Sequence, residues 1–119
     1  MARDLSFSKA RRLTRAAEFE RVREEGRKVR GSLISLGVLS GDAGEEIRAG
    51  FITSRKVGGA VARNRVRRRL REIVRHHQHE IVDGTWLVIV ASPRAARANY
   101  HELEGEWLRL AKRASILAA

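Results

Sequence analysis

The sequence predicts an α/β (α+β) two-layer sandwich, a small sheet packed with three helices. Three observations carry this expectation. Apolar residues recur at helical spacing in three separate stretches. Between those stretches lie two alternating segments and one uninterrupted apolar run, which read as strands. Finally, 119 residues of which 43% are hydrophobic suffice for one core, and no linker, repeat or low-complexity tract divides them.

Taken in order, residues 1–13 read as a basic, mobile arm with Arg3, Lys9, Arg11 and Arg12, and residues 14–119 as a single domain. Thr14 is placed to cap a short helix running to about Glu25, with Phe19 and Val22 on one face and Gly26 as its stop. Leu33–Ser40 reads as a strand with Ile34, Leu36 and Val38 on one side. Gly41–Gly44 reads as a turn, and Ile47–Ser54 as a second strand in which Ile47, Ala49 and Phe51 alternate. The short connection predicts that these two strands form an antiparallel hairpin. After Val57-Gly58-Gly59 a long helix is expected from about Ala60 to His79, with Val66, Leu70, Ile73, Val74 and His77 on its apolar side. Asp83-Gly84 turns the chain into Thr85–Ala91, an apolar run suited to a strand covered on both faces, and Pro93 ends it. Asn99 and Glu102 form a capping-box pair opening a last helix, whose buried stripe is Leu103, Trp107, Leu110, Ala111 and Ala114.

Charge narrows the function. Lys and Arg number 25 against 14 Asp and Glu, a net charge of +11. In a compact fold such an excess repels itself unless a polyanion neutralises it, and nucleic acid is the commonest such partner. Lysine occurs only at positions 9, 28, 56 and 112, so the basic residues are overwhelmingly arginine, whose planar guanidinium binds phosphate bidentately and stacks on bases. The chain has no cysteine, hence neither disulfides nor thiolate metal sites. Its first residues lack a signal peptide's apolar stretch, and no run is long enough to span a bilayer, so a cytoplasmic protein is expected.

The arginines concentrate on the central helix. Residues 63–75 hold seven, with Glu72 the one acid among them. At about 100° per residue the apolar positions gather on one side and Asn64, Arg65, Arg68, Arg71 and Arg75 on the other. Arg67 and Arg69 flank them, and Arg63 lies at the first turn. Like charges at this spacing destabilise a helix by a few tenths of a kcal/mol per pair. One face therefore anchors while the other is expected to bind a polyanion. Arg55, Lys56 and the two glycines lead into the helix N-terminus, where free N–H groups and a partial positive charge attract anions. No Gly-x-x-x-x-Gly-Lys-Ser/Thr motif marks a nucleotide-triphosphate loop.

The segment Gly50–Glu72, GFITSRKVGGAVARNRVRRRLRE, closely resembles the signature of the bacterial ribonuclease P protein family. The segment Arg12–Arg27 is similar to that family's opening helix, and the resemblance extends over residues 12 to 113. It implies a left-handed βαβ crossover through the arginine helix, an exception to the usual hand. It implies that the chain is the accessory subunit of an endoribonuclease whose catalytic centre is an RNA. That RNA uses Mg2+ to hydrolyse the phosphodiester at the 5′ end of mature tRNA within its precursor; no catalytic residue, metal ligand or cofactor is expected on the protein itself. Arg55, Lys56, Arg63, Asn64, Arg65, Arg67, Arg68, Arg69 and Arg71 are implied to face the catalytic RNA. Phe19, with Arg15 and Arg23, is implied to contact the single-stranded leader of precursor tRNA, although its spacing fits a core aromatic equally well. Some family members carry further aromatics where Arg23 and Gly37 stand here, so leader contacts in this chain are expected to be more electrostatic.

Other readings are weaker. A protein-only nuclease needs clustered carboxylates or a histidine pair, and Asp4, Asp42 and Asp83 are scattered. His76, His77 and His79 read as the polar end of a helix, although His76 and Glu80 have metal-ligand spacing. A zipper-type DNA-binding helix requires heptads, where Asp83-Gly84 and a strand follow. A membrane-surface helix would expose aromatics. A ribosomal protein shares the size, charge and binding physics and is the serious alternative.

Overall fold

The computed structural model describes residues 11–41 and 44–118. Most of the expected basic arm, and Asp42 and Ala43 of the expected turn, lie outside them. The described chain forms α1 (Ala16–Glu25), β1 (Arg27–Arg30), β2 (Ile34–Leu39), β3 (Arg48–Ile52), α2 (Ala60–His77), β4 (Trp86–Ala91) and α3 (Tyr100–Arg113). Single 3-10 segments follow α2 (Gln78–Glu80) and β4 (Pro93–Arg97). Three helices and a four-stranded mixed sheet make the expected α+β sandwich.

The strand order β1-β2-β4-β3 corrects the expected hairpin. β4 lies between β2 and β3, antiparallel to the first and parallel to the second. The connection from β2 to β3 needs to span only two strand spacings, about 9–10 Å, which a few residues cover easily. Short spacing therefore does not require direct pairing. β4 wins the central place because it is apolar on both sides and can be covered on both. The parallel β3–β4 pair is joined through α2, as a parallel pair requires.

β1 was not expected at all. Arg27-Lys28-Val29-Arg30 has no apolar alternation because it is an exposed edge strand, and its charges suit such an edge. Its connection to β2 is held by Glu106 of α3. That buried carboxylate accepts hydrogen bonds from the backbone N–H groups of Ser32 (3.1 Å), Leu33 (2.6 Å) and Ile34 (2.8 Å), and from the Ser32 hydroxyl (3.0 Å).

Two smaller corrections concern helix starts and the arm. Arg15, not Thr14, is the N-cap of α1, and the cap is completed by Glu18, whose Oε1 accepts from the N–H groups of Thr14 and Arg15 at 3.1 and 3.0 Å. Burial pushes the Glu18 pKa up, but these N–H groups and Arg48 outweigh it and hold the carboxyl below its ordinary value. Packing also begins ahead of Thr14. Leu13 is buried and donates its N–H to the Ala49 carbonyl at 2.8 Å, and Arg12 bridges to Ala49. In α3 the Asn99–Glu102 capping box forms as expected, at 2.8 and 2.9 Å.

The two sheet faces differ. Ile34, Leu36, Val38, Leu87, Ile89 and Ala91 point to one face and are sealed by α2 and α3 through Val66, Leu70, Ile73, Leu103, Trp107 and Leu110. Among the described residues the other face is covered by α1 and by Leu13 just ahead of it. Its register gives cross-strand rows of Arg30, Ser35, Val90 and Ile52, then Lys28, Gly37, Val88 and Gly50, then Leu39, Trp86 and Arg48.

Candidate nucleic-acid interface

α2 is seated by Val66, Leu70, Ile73 and Val74, all fully buried. That apolar stripe turns the remaining positions outward, but not uniformly. Asn64 and Arg68 are exposed, whereas Arg63, Arg65, Arg67, Arg69, Arg71 and Arg75 are half-buried along the helix flanks. The outward stripe expected from the wheel is thus narrower than the wheel implied, because long arginine stems lie along neighbouring elements. On one flank Arg65 donates to the Ala96 carbonyl (3.3 Å) and Arg69 to the Ala98 carbonyl (2.7 Å), tying α2 to the segment after β4. On the other flank Arg67 donates to Thr53 Oγ1 (2.5 Å) and to Asn64 Oδ1 (3.2 Å), and Arg71 lies over the Phe51 ring at 5.9 Å. Each guanidinium has five N–H donors, so one or two internal bonds leave others for a ligand.

Among the described residues the side chains of Arg55, Lys56, Arg63 and Arg68 have no hydrogen-bonding or ionic partner. The local fold explains why. Buried Val57 anchors a turn closed by Val57 N–H to Ser54 O (3.0 Å) and Gly58 N–H to Arg55 O (3.1 Å), which turns Arg55 and Lys56 to solvent. Gly58 sits at φ +148°, where an L side chain is strained, and delivers the chain to the α2 N-cap, Gly59. The first turn of α2 contains no acid, so no carboxylate within that turn compensates its positive pole. Charge is crowded enough to be felt: burial, then the Arg12 and Arg67 cations, push the Arg71 pKa down. An anion beside these groups would relieve that repulsion.

The second part lies on the α1 face of the sheet. α1 is closed on one side by Trp86, whose ring has the Arg21 and Arg48 guanidinium carbons each 5.1 Å from its centroid. On the other side it leaves a groove of about 450 Å3. Gly37, Val88 and Val90 form the floor, Phe19, Val22 and Arg23 the helix wall, and Lys28 and Ile52 the far edges. Phe19 is half-buried and faces this groove, so it is both a packing residue and an accessible ring. Arg23 is on the wall but paired to Glu20 at 2.7 Å. Arg15 stays exposed at the α1 N-cap and is not brought to the groove. Sequence reasoning missed Lys28, Val90 and Ile52 as lining residues; the only signal was Ile52's place on the alternate face of its strand.

The histidines expected at the polar end of α2 divide. His77 bridges helices, with Nδ1 2.5 Å from Glu80, Nε2 2.9 Å from Glu104 and its ring stacked on Trp107 at 5.5 Å. His76 faces Glu72, not Glu80, at 3.6 Å. Among the described residues no three ligating side chains gather as a metal site.

The Ribonuclease P family pattern matches residues 7–115, nearly the whole chain. The chain belongs to the ribonuclease P protein family. A ribonuclease P protein component from Beutenbergia cavernae is 39% identical over 114 residues, covering 92% of this chain and 96% of that one. One from Acidothermus cellulolyticus is 42% identical over 100 residues, 83% of each chain. The fold agrees with the Staphylococcus aureus RNase P protein at a TM-score of 0.84, 24% identity and coverage of 92% and 99%. It agrees with the Thermotoga maritima RNase P protein at 0.75, 25% identity and coverage of 86% and 96%. Membership makes the chain a protein component of the ribonuclease P endoribonuclease, a tRNA-processing complex whose partner is the ribonuclease P RNA. The ribosomal-protein alternative falls.

Proposed function

We propose that this protein docks on the catalytic ribonuclease P RNA through the outer side of α2 and holds the 5′ leader of precursor tRNA in the groove beside α1. The observation that carries the reading is the set of unpartnered cationic side chains, Arg55, Lys56 and Arg63 around a helix N-terminus without a first-turn acid and Arg68 farther along the outer side of that helix. Guanidinium groups there bind RNA phosphates bidentately and release condensed counterions. Arg65, Arg67, Arg69 and Arg71 are held in fixed directions by their internal contacts and present their remaining donors to the same RNA. Asn64 keeps its amide donors for a base edge or ribose hydroxyl while its oxygen accepts from Arg67.

The groove suits a single strand better than a duplex, since its volume of about 450 Å3 is far too small for a duplex and Phe19 gives it an aromatic wall. A leader base stacks on Phe19, a contact of about 1–3 kcal/mol. Lys28, and Arg23 once released from Glu20, neutralise the leader backbone; Arg15 acts from the helix end at longer range. The hydrolysis itself belongs to the RNA and its Mg2+, and the protein's residues position and neutralise. The partners are therefore the catalytic RNA and precursor tRNA, in the cytoplasm, with neither membrane nor DNA; among the described residues no helix is long and apolar enough to cross a membrane.

Reconstitution tests this. Cleavage of precursor tRNA by a bacterial ribonuclease P RNA, assayed at low magnesium, is expected to accelerate when the protein is added, because its cations replace part of the counterion requirement. No acceleration by folded protein would overturn the proposal.

A further inference from the structure

Directly beneath Phe19 the sheet has no side chain. A Cβ built on Gly50 would stand 2.5 and 2.6 Å from Phe19 Cε1 and Cζ and 3.1 Å from Leu13 Cβ, far inside ordinary contact. Gly50 has no positive φ, so its backbone conformation is open to other residues and the constraint is the close approach alone. In the same cross-strand row Gly37 lies under Val22, with a built Cβ 3.2 Å from Val22 Cγ1. Phe19 and Val22 are three apart on α1 and therefore share a helix face. Two side chains of α1 thus settle onto two glycines on either side of Val88. The contacts are unequal: the one at Gly37 requires a slight give, whereas the one at Gly50 forbids the observed ring position.

We infer that Gly50 is a positioning residue for the leader groove: by lacking a side chain it lets the Phe19 ring rest on β3, which fixes the ring's depth and tilt as a stacking wall. This rests on the proposed leader reading. Phe19 borders open space, so a methyl at position 50 has a direction in which to push it. Restoring a 3.4 Å contact from 2.5 Å moves the ring edge by about 0.9 Å into the groove. That displacement narrows the space a base would occupy and tilts the surface it would stack on. The arginine side of α2 lies on the other face of the sheet and is left unaltered.

The test is a cycle of Gly50→Ala, Phe19→Ala and the double variant. The quantity measured is the ratio of holoenzyme affinities for precursor tRNA with and without its leader. A loss of folding or of RNA docking lowers both affinities and leaves this ratio unchanged. Gly50→Ala is expected to lower the ratio about five-fold or more, the lower end of a stacked base's contribution, and to have no further effect once Phe19 is Ala. If Phe19→Ala lowers the ratio but Gly50→Ala does not, or if the two effects multiply in the double variant, the positioning role is overturned and the leader reading stands. If Phe19→Ala itself leaves the ratio unchanged, the leader reading fails and the inference with it. Circular dichroism of each variant completes the test: Gly50→Ala unfolding in both backgrounds overturns the inference, because the glycine then serves β3 and not the ring.

Discussion

The two faces of one four-stranded sheet behave as different materials. Under α2 and α3, the inward residues of β2 and β4 are 0–6% exposed and meet a matched layer of Leu, Ile, Val and Trp107. Under α1, the same strands present Gly37, Val88 and Val90, and β3 presents Ile52, to a helix that covers only part of them, leaving Ile52 38% exposed. Strand alternation lets β4 serve both faces independently, with Leu87, Ile89 and Ala91 on one and Trp86, Val88 and Val90 on the other. The lesson is a division of labour within single strands. One face supplies the burial that folding needs, which frees the other to keep apolar surface accessible beside basic side chains.

The sharpest way to break that contrast is to truncate one aromatic on each face. Trp107→Ala is expected to cost about 3–5 kcal/mol in urea unfolding, as deletion of a fully buried aromatic does. Phe19→Ala is expected to cost about 0.8–1.5 kcal/mol, half of what full burial of a large apolar side chain contributes. Equal losses would mean that the groove wall is simply core.

α2 carries a similar contrast between its exposed middle and its flanks. Arg68→Ala is expected to lower the slope of log binding constant against log salt by about 0.7–0.9 for ribonuclease P RNA, one phosphate contact, with an unchanged melting temperature. Arg65→Ala is expected to reduce the slope similarly and also to lower the melting temperature, because the bond to Ala96 is lost. An unchanged slope for both would show these guanidinium groups to be merely solvated.

The smallest effect concerns the sealed side, where His77 joins α2 to α3. Both ring nitrogens face carboxylates, Glu80 and Glu104, and only the imidazolium can donate to both. Burial lowers its pKa, but the bonds to Glu104 and Glu80 outweigh this and raise it above 6.5. The resulting stability is therefore fully present below about pH 6.5 and lost as pH rises through the higher folded-state pKa. Unfolding measured at pH 5.5 and 8.5 is expected to show a pH-dependent part of no more than about 1 kcal/mol, absent in His77→Gln. A pH dependence unaltered by that substitution would assign it to other groups.

The sequence by itself determined the local elements and their buried stripes. Val66, Leu70, Ile73 and Val74, or Leu103, Trp107 and Leu110, repeat at a period that only a helix with one dry side satisfies. It also determined the partner's charge, since seven arginines with a single acid on one helix have few other uses. Tertiary structure decided which strands meet. A strand's pattern reports how many of its faces are dry and is silent on which neighbour provides the cover, so β4 could enter between β2 and β3 unannounced. Edge strand β1 had no dry face to betray it. Only the packed fold brought Glu106 to the β1–β2 connection and Phe19 onto Gly50, because both contacts join residues far apart in the chain. The same packing drew most of the arginines down onto the flanks of α2, since only neighbouring backbone carbonyls and side chains reveal where a long, flexible guanidinium comes to rest.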